Sequence, residues 1–309
     1  MNQLLSDPFK IRSTASQVVK KSQLVSINQT SLTKFSQQVS QAIHKKQLLS
    51  QTQFGRLQNT CQKVFLLNTV NFCFWAKKNQ KKWTVESPSG KPVDGWEALV
   101  AVFDRALAEN TPLLNCQFLI NLDLKQGRHI FRSANQTQIP LFKTRLKFLQ
   151  QAGFILKTKF KGDFHYLLQQ ADFKAINIIQ LVIKHFPSFN DRFYKRAQIC
   201  AYDLSLLPEV KISGLDQLTV FADYKLPQIL RSFGVLNYQR SLAKKIDNLI
   251  LIPKNSQEEI EIRAATIWVG ELLAFKLQQP PCLIDNAIWH LSQTYPAAKP
   301  YHRTSTTNY

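Results

Sequence analysis

Glycine is scarce in this sequence, nine in 309 residues. Few tight hairpins are therefore expected, and a Gln-, Lys- and Leu-rich text favours helix. Cysteine offers no framework either: Cys61, Cys73, Cys116, Cys200 and Cys282 form no CxxC pair, are odd in number and sit mostly among apolar neighbours. They read as small core residues of a reducing compartment, not as a disulfide set or a zinc site. The six histidines are scattered, with no ligand spacing, so no metal is expected. No GxGxxG, GxxxxGK[ST], HExxH or GxSxG occurs, which removes the dinucleotide cradle, the P-loop, the zincin ligand pair and the nucleophile elbow.

Long apolar runs are also missing. The most apolar stretch, Val64 to Ala76, is too short to span a bilayer and is broken by Asn68 and Asn71, so no membrane association is expected. No charged-then-apolar signal segment opens the chain, and a cytoplasmic location follows as the expectation. Acidic residues are few: 20 Asp and Glu face 40 Lys and Arg, a formal charge of +20. Such a surface attracts anions, whether nucleic acid, nucleotide phosphate or acidic lipid, or is simply a solvated basic face.

What is present is a folded globule, 44% apolar with aromatics throughout. No repeat or linker divides it, and the reading is one all-α domain over residues 1–309 with a little strand at most. The first fifty residues, with Val18, Val19, Val39, Ile43 and Leu48 loosely at helical spacing, are expected to form helices packed on the main body. Asn79 to Gly95 is punctuated as a loop or short hairpin, followed by a helix over Trp96 to Leu107. Arg132 to Pro140 and Phe160 to Leu167 are further breaks. A long helix should start after Ser256, with Glu259 completing a capping box, and run to about Leu277. Glu271 falls on or beside its apolar stripe and is read as a boundary residue pointing to solvent.

Three stretches mix aromatic, charged and polar groups. In "NFCFW", Phe72, Phe74 and Trp75 offer ring faces to a planar base beside the Asn71 amide, or else form a buried aromatic helix face. In "RFYKRAQI", Lys195 and Arg196 flanked by Phe193 and Tyr194 can grip a phosphate, or form a basic amphipathic helix. The third, "LTVFADYKLPQILRSFGVLNY" (Leu218 to Tyr238), places Asp223 between Phe221 and Tyr224. Leu226, preceding a proline, is expected to be extended, Pro227 to be the first helical residue and Gly234 the C-terminal stop. Free amides at that helix entrance favour an anion. A fixed anion among aromatics stabilises a developing cation such as an oxocarbenium-like sugar; an ordinary capping aspartate is the plainer alternative.

These stretches do not stand alone. "DPFKIR" (Asp7 to Arg12), "LLNTVNFCFW" (Leu66 to Trp75), "FYKRAQI" (Phe193 to Ile199), the Asp223 segment, "IPKNSQEEIEIRAATI" (Ile252 to Ile267) and "KPYHRTSTTNY" (Lys299 to Tyr309) together resemble the queuosine salvage proteins, the queuosine 5′-phosphate N-glycosylase/hydrolase family. The resemblance covers nearly the whole chain. It implies a helical fold similar to helix-hairpin-helix DNA glycosylases, hydrolysis of queuosine 5′-monophosphate to queuine and ribose 5-phosphate, and no cofactor. It further implies that Asp223 acts as nucleophile or transition-state stabiliser and that Phe221 lines the base site, with Tyr224 beside it. It implies further base contacts from Asp285, with Trp289 where an aromatic is expected and His290 after it as a further candidate; Asn71 and Phe72 remain candidates from the reading of "NFCFW" above.

A 7-deazapurine carries carbon where an ordinary purine is protonated to leave, so catalysis must rest on charge stabilisation at the sugar and hydrogen bonds to the base. For the 5′-phosphate the candidates are Lys195 and Arg196, then Arg263 and Arg303. Three departures from the family pattern stand out: Asn68 where an Asp is usual, His290 where an acid can follow the aromatic, and no histidine before His44. The alternative from another class is a non-catalytic RNA- or tRNA-binding protein. A DNA glycosylase, suggested by the implied fold alone, has no sequence signal of its own.

Overall fold

The computed structural model describes residues 7–45, 51–55, 60–295 and 299–309. In chain order the elements are α1 (Ile11–Lys21), β1 (Val25–Ile27), α2 (Gln29–His44), α3 (Cys61–Thr69), β2 (Thr84–Glu86), β3 (Pro92–Asp94), α4 (Gly95–Ala108), α5 (Cys116–Ile120) and α6 (Leu124–Ile130). There follow α7 (Phe142–Lys159), α8 (Phe164–Gln170), α9 (Ala175–His185), α10 (Lys195–Ser205), α11 (Lys225–Ser232), β4 (Leu236–Tyr238), α12 (Arg240–Asp247), α13 (Gln257–Leu277) and α14 (Pro281–Thr294). The fold is mainly helical, with two small two-stranded sheets among the described residues. No described helix is long and apolar enough to cross a membrane. The chain forms two compact units: residues 1–49, 214–307 and 309 make one, and residues 50–213 and 308 the other.

In the first unit α13 is the axis. Ile262, Ile267, Val269 and Leu273 are buried on it, and because apolar positions surround the helix it is enclosed by α1, α2, α11 and α14. β1 pairs antiparallel with β4, Val25 opposite Tyr238 and Ile27 opposite Leu236, joining the two sequence-distant halves of the unit. Ser256 caps α13 as its position predicts, its Oγ accepting from Glu259 N at 3.3 Å. Glu259 does not complete a capping box; its carboxylate reaches past Ser256 to Asn255 N.

Glu271 does not point to solvent. Its Oε2 accepts from Arg12 Nε at 2.8 Å, and burial raises its pKa against the opposing pull of that arginine. Arg12 also donates to the carbonyls of Gln217 at 2.9 Å and Leu218 at 2.7 Å, so one guanidinium explains the buried acid. Of the N-terminal apolar positions, Val39 is buried, Val18, Val19 and Ile43 are half-buried, and Leu48 lies outside the described residues.

The second unit is organised around α3, every residue of which is buried, packed by α4, α7, α8 and α10. Phe65 stacks on Phe164 with ring centroids 4.1 Å apart. The punctuated segment after Asn79 is the β2–β3 hairpin, with Val85 opposite Val93, and α4 starts directly after it. The break expected over Phe160 to Leu167 ends early, because Asp163 Oδ1 accepts from His165 N at 2.8 Å and starts α8. "NFCFW" is not a helix face: α3 stops at Thr69 and Cys73 takes φ +50°, so residues 71–75 leave the helix as irregular chain. All five cysteines are free and buried.

Candidate active site

Asp223 makes its own helix entrance. Its Oδ1 accepts from Lys225 N at 2.7 Å and from Leu226 N at 3.1 Å, so α11 begins at Lys225, two residues earlier than Pro227. Leu226 is accordingly helical rather than extended. Pro227 is tolerated at the third helical position because the first four N–H groups of a helix have no intrahelical acceptor. Gly234, φ +69°, ends the helix as expected: its N–H bonds Arg231 O at 3.0 Å and Val235 N–H bonds Leu230 O at 2.8 Å, the paired bonds of a Schellman stop.

The two oxygens of Asp223 have different fates. Oδ1 is tied by backbone, while Oδ2 accepts no hydrogen bond from any described residue, and the side chain is half-buried. One oxygen is oriented and the other is presented.

The chain around Asp223 is fixed from several sides. Phe221 N donates to Asp285 Oδ1 at 2.6 Å, bringing buried Asp285 on α14 to within two residues of Asp223 in sequence. Ala222 O accepts from Arg263 Nε at 3.1 Å, from the middle of α13. Tyr224 lies against Tyr301 and Tyr309, centroids 4.9 Å and 6.4 Å away. Val220 approaches α13 so closely that a Cβ on Gly270 would stand 2.3 Å from its Cγ1. Trp289 and His290 follow Asp285 by about one turn of α14 and are half-buried. Asp223, Phe221, Tyr224 and Asp285 are thus gathered in the first unit, with Trp289 and His290 on the adjoining turn.

Arg303 and Lys225 both face the ring of Tyr301, 5.8 Å and 5.7 Å from its centroid. Nε and Nη1 of Arg303 are buried without a hydrogen-bond partner among the described residues.

Asn71, Phe72, Lys195 and Arg196 belong to the second unit. Phe72 is fully buried, its ring flanked by the guanidinium groups of Arg145 at 4.3 Å and Arg196 at 5.1 Å. Arg196 is buried and bonds main-chain carbonyls: Asn68 O at 3.1 Å, Thr69 O at 2.7 Å and Ser188 O. Desolvation, opposed by Asp191, lowers its pKa to about 9. Lys195 is also buried and lies in the field of Asp203.

Sequence reasoning passed over Asp203 itself. It is 2% exposed, accepts from Asn68 Nδ2 at 2.8 Å and Gln53 Nε2 at 3.3 Å, and desolvation raises its pKa to about 7 against those hydrogen bonds and Lys195. Asn68 is therefore engaged with an acid in the fold. In the first unit His302 and Tyr309 were also missed. Both lie inside the quoted "KPYHRTSTTNY", and a Tyr and a His in a lysine- and threonine-rich tail were the available signal.

The profile of the Queuosine salvage protein family matches residues 50–309. The chain is 37% identical over 265 residues to the queuosine 5′-phosphate N-glycosylase/hydrolase of Sphaerobacter thermophilus, covering 80% of each sequence. It is 33% identical to the protein of that name from Mus musculus, over 80% of this chain and 81% of the relative. To that from Nematostella vectensis it is 34% identical with the same coverage.

Proposed function

The chain belongs to the queuosine salvage protein family, and from that premise we propose that it is an N-glycosyl hydrolase releasing queuine from queuosine 5′-monophosphate, with Asp223 as the group that meets the charge developing at the sugar. The observation that carries the reading is the asymmetry of this carboxylate, Oδ1 held by two backbone amides of α11 and Oδ2 without a bonded partner among the described residues.

In the reaction the C1′–N bond breaks and its electron pair leaves with the deazapurine, which takes a proton originating from water. The sugar becomes oxocarbenium-like, and the Oδ2 of Asp223 stabilises it or bonds to C1′. Water then supplies hydroxide to C1′, giving ribose 5-phosphate and restoring the carboxylate. Phe221 and Tyr224 flank the acid and offer ring faces for the base, Phe221 being held in place through its N–H by Asp285. Trp289 and His290, beyond Asp285, complete the base side. For the 5′-phosphate the reading moves within this unit to Arg303, half-buried with Nε and Nη1 unpaired among the described residues, whereas Arg196 is fully buried and both its terminal nitrogens donate to carbonyls.

Incubation with queuosine 5′-monophosphate and with queuosine, followed by mass spectrometry of the base, tests the reading. Queuine from the wild type, faster from the phosphate, and a loss of about 10³-fold in Asp223→Asn are expected, the size found when a charge-stabilising group is removed. Absence of queuine from folded wild-type protein overturns it.

A further inference from the structure

Resting on that assignment of Asp223, we infer that Tyr309 is a positioning residue for the reaction, acting through the guanidinium of Arg263 on the backbone that carries Asp223. No hydrogen bond or ring contact joins Tyr309 to Asp223, yet each chain neighbour of Asp223 leads to it. On one side Arg263, 1% exposed, donates from Nε to Ala222 O at 3.1 Å and lies 4.7 Å from the centre of the Tyr309 ring. On the other, the Tyr224 ring lies 6.4 Å from that of Tyr309, and Tyr301 covers Tyr224 at 4.9 Å.

The charge balance around Arg263 explains why an aromatic ring stands there. A buried guanidinium needs partners, and Glu259, one turn back on α13, stands 3.7 Å from it while its other oxygen serves Asn255 N. A ring face meets the cation without competing for the N–H that holds Ala222 O, and desolvated cation–π contact is worth more than an exposed one. Tyr309 is fixed in turn: its hydroxyl is 3.1 Å from His302 Nε2. Burial, with Arg263 adding to it, lowers the pKa of His302 to about 3, so this imidazole is neutral and adds no second cation beside the arginine.

Taking away the ring removes the face on which the Arg263 guanidinium packs, and the donor held against Ala222 O loses that support. Oδ1 of Asp223 still has its two amides, so the acid survives and the helix forms. What is lost is the placement of Oδ2 at C1′, and displacement of a reacting group by about 1 Å costs on the order of 10²-fold in rate. Because the defect lies in the placement of the reacting oxygen and not in the surfaces that take the base, it enters kcat and leaves KM alone.

The test compares Tyr309→Leu, which removes the ring, with Tyr309→Phe, which keeps it and drops the hydroxyl. Steady-state queuine release should show kcat reduced roughly 10- to 100-fold in Tyr309→Leu with KM within about 3-fold, and Tyr309→Phe within about 3-fold of wild type in kcat. In parallel, amide hydrogen exchange over residues 219–228 should quicken in Tyr309→Leu and not in Tyr309→Phe. Equal kcat in all three proteins, equal losses in both variants, or unchanged exchange over that segment in Tyr309→Leu overturns the inference. Failure of the wild type to release queuine overturns instead the assignment of the reaction, and the exchange measurement still decides whether Tyr309 holds the Asp223 segment.

Discussion

Two aspartates, one in each unit, illustrate what a fold does with a carboxyl group. Asp203 is enclosed on α10, both oxygens accept from side-chain amides, and desolvation carries its pKa to about 7. Asp223 stands half-buried at the start of α11 with one oxygen on two backbone amides and the other without a bonded partner. The first uses its charge, or its proton, to knit α10 to α3 and the turn before it. The second leaves one oxygen without a hydrogen bond among the described residues, and the reaction proposed above draws on that oxygen. Burial alone marks an unusual titration; an unused oxygen marks a place for chemistry.

The largest effect expected from this contrast is catalytic. Asp223→Asn should reduce queuine release at least about 10²-fold more than Asp203→Asn, because only the former removes transition-state charge stabilisation. Equal losses measured side by side would break the comparison. Next comes support of the Asp223 segment from below. Gly270→Ala places a Cβ 2.3 Å from Val220 Cγ1 and 3.0 Å from its Cβ, and overpacking of this kind costs about 1–3 kcal/mol. Thermal unfolding should show a lowered midpoint, and Val220→Ala in the same chain should recover part of it; additive losses would mean that the two positions do not touch.

A third effect is a pH slope that belongs to Asp203. Its pKa is raised from 3.8 to about 7 in the fold, so between those values the native state holds a proton that the unfolded chain has released. Stability from this group is therefore full below pH about 4, falls as pH rises toward 7, and is flat above. Asp203→Asn should remove that component, and a denaturant series from pH 4 to 8 on both proteins would reveal it. An unaltered slope would assign the pH dependence to other groups.

Much of this was written locally in the sequence. The Ser256 cap and the length of α13, the hairpin after Asn79, the stop at Gly234 and the place of Asp223 at the entrance of a helix all follow from short-range rules about amides, glycine and proline. The failures are tertiary. Leu226 was expected to be extended because a proline follows, but the Asp223 cap outweighs that bias. Glu271 was expected at solvent because it falls at the boundary of the apolar stripe of α13; its partner Arg12 is 259 residues away in sequence. Arg196 reads as a phosphate ligand or as part of a basic amphipathic helix, and the carbonyls of Asn68, Thr69 and Ser188, which accept from its terminal nitrogens, are not visible locally. The His302–Tyr309–Arg263 cluster has no local period at all.

The pairing of β1 with β4 sets an order of events during synthesis. β1 must wait for residue 238 before Val25 and Tyr238 can meet, whereas residues 50–213 emerge beforehand. Such sequence separation slows closure, and domains of a growing chain tend to fold as they appear. The inserted unit can therefore take shape on the ribosome while the unit bearing Asp223 is still an open pair of ends, and the carboxylate proposed for the reaction is among the last features of the molecule to come into being.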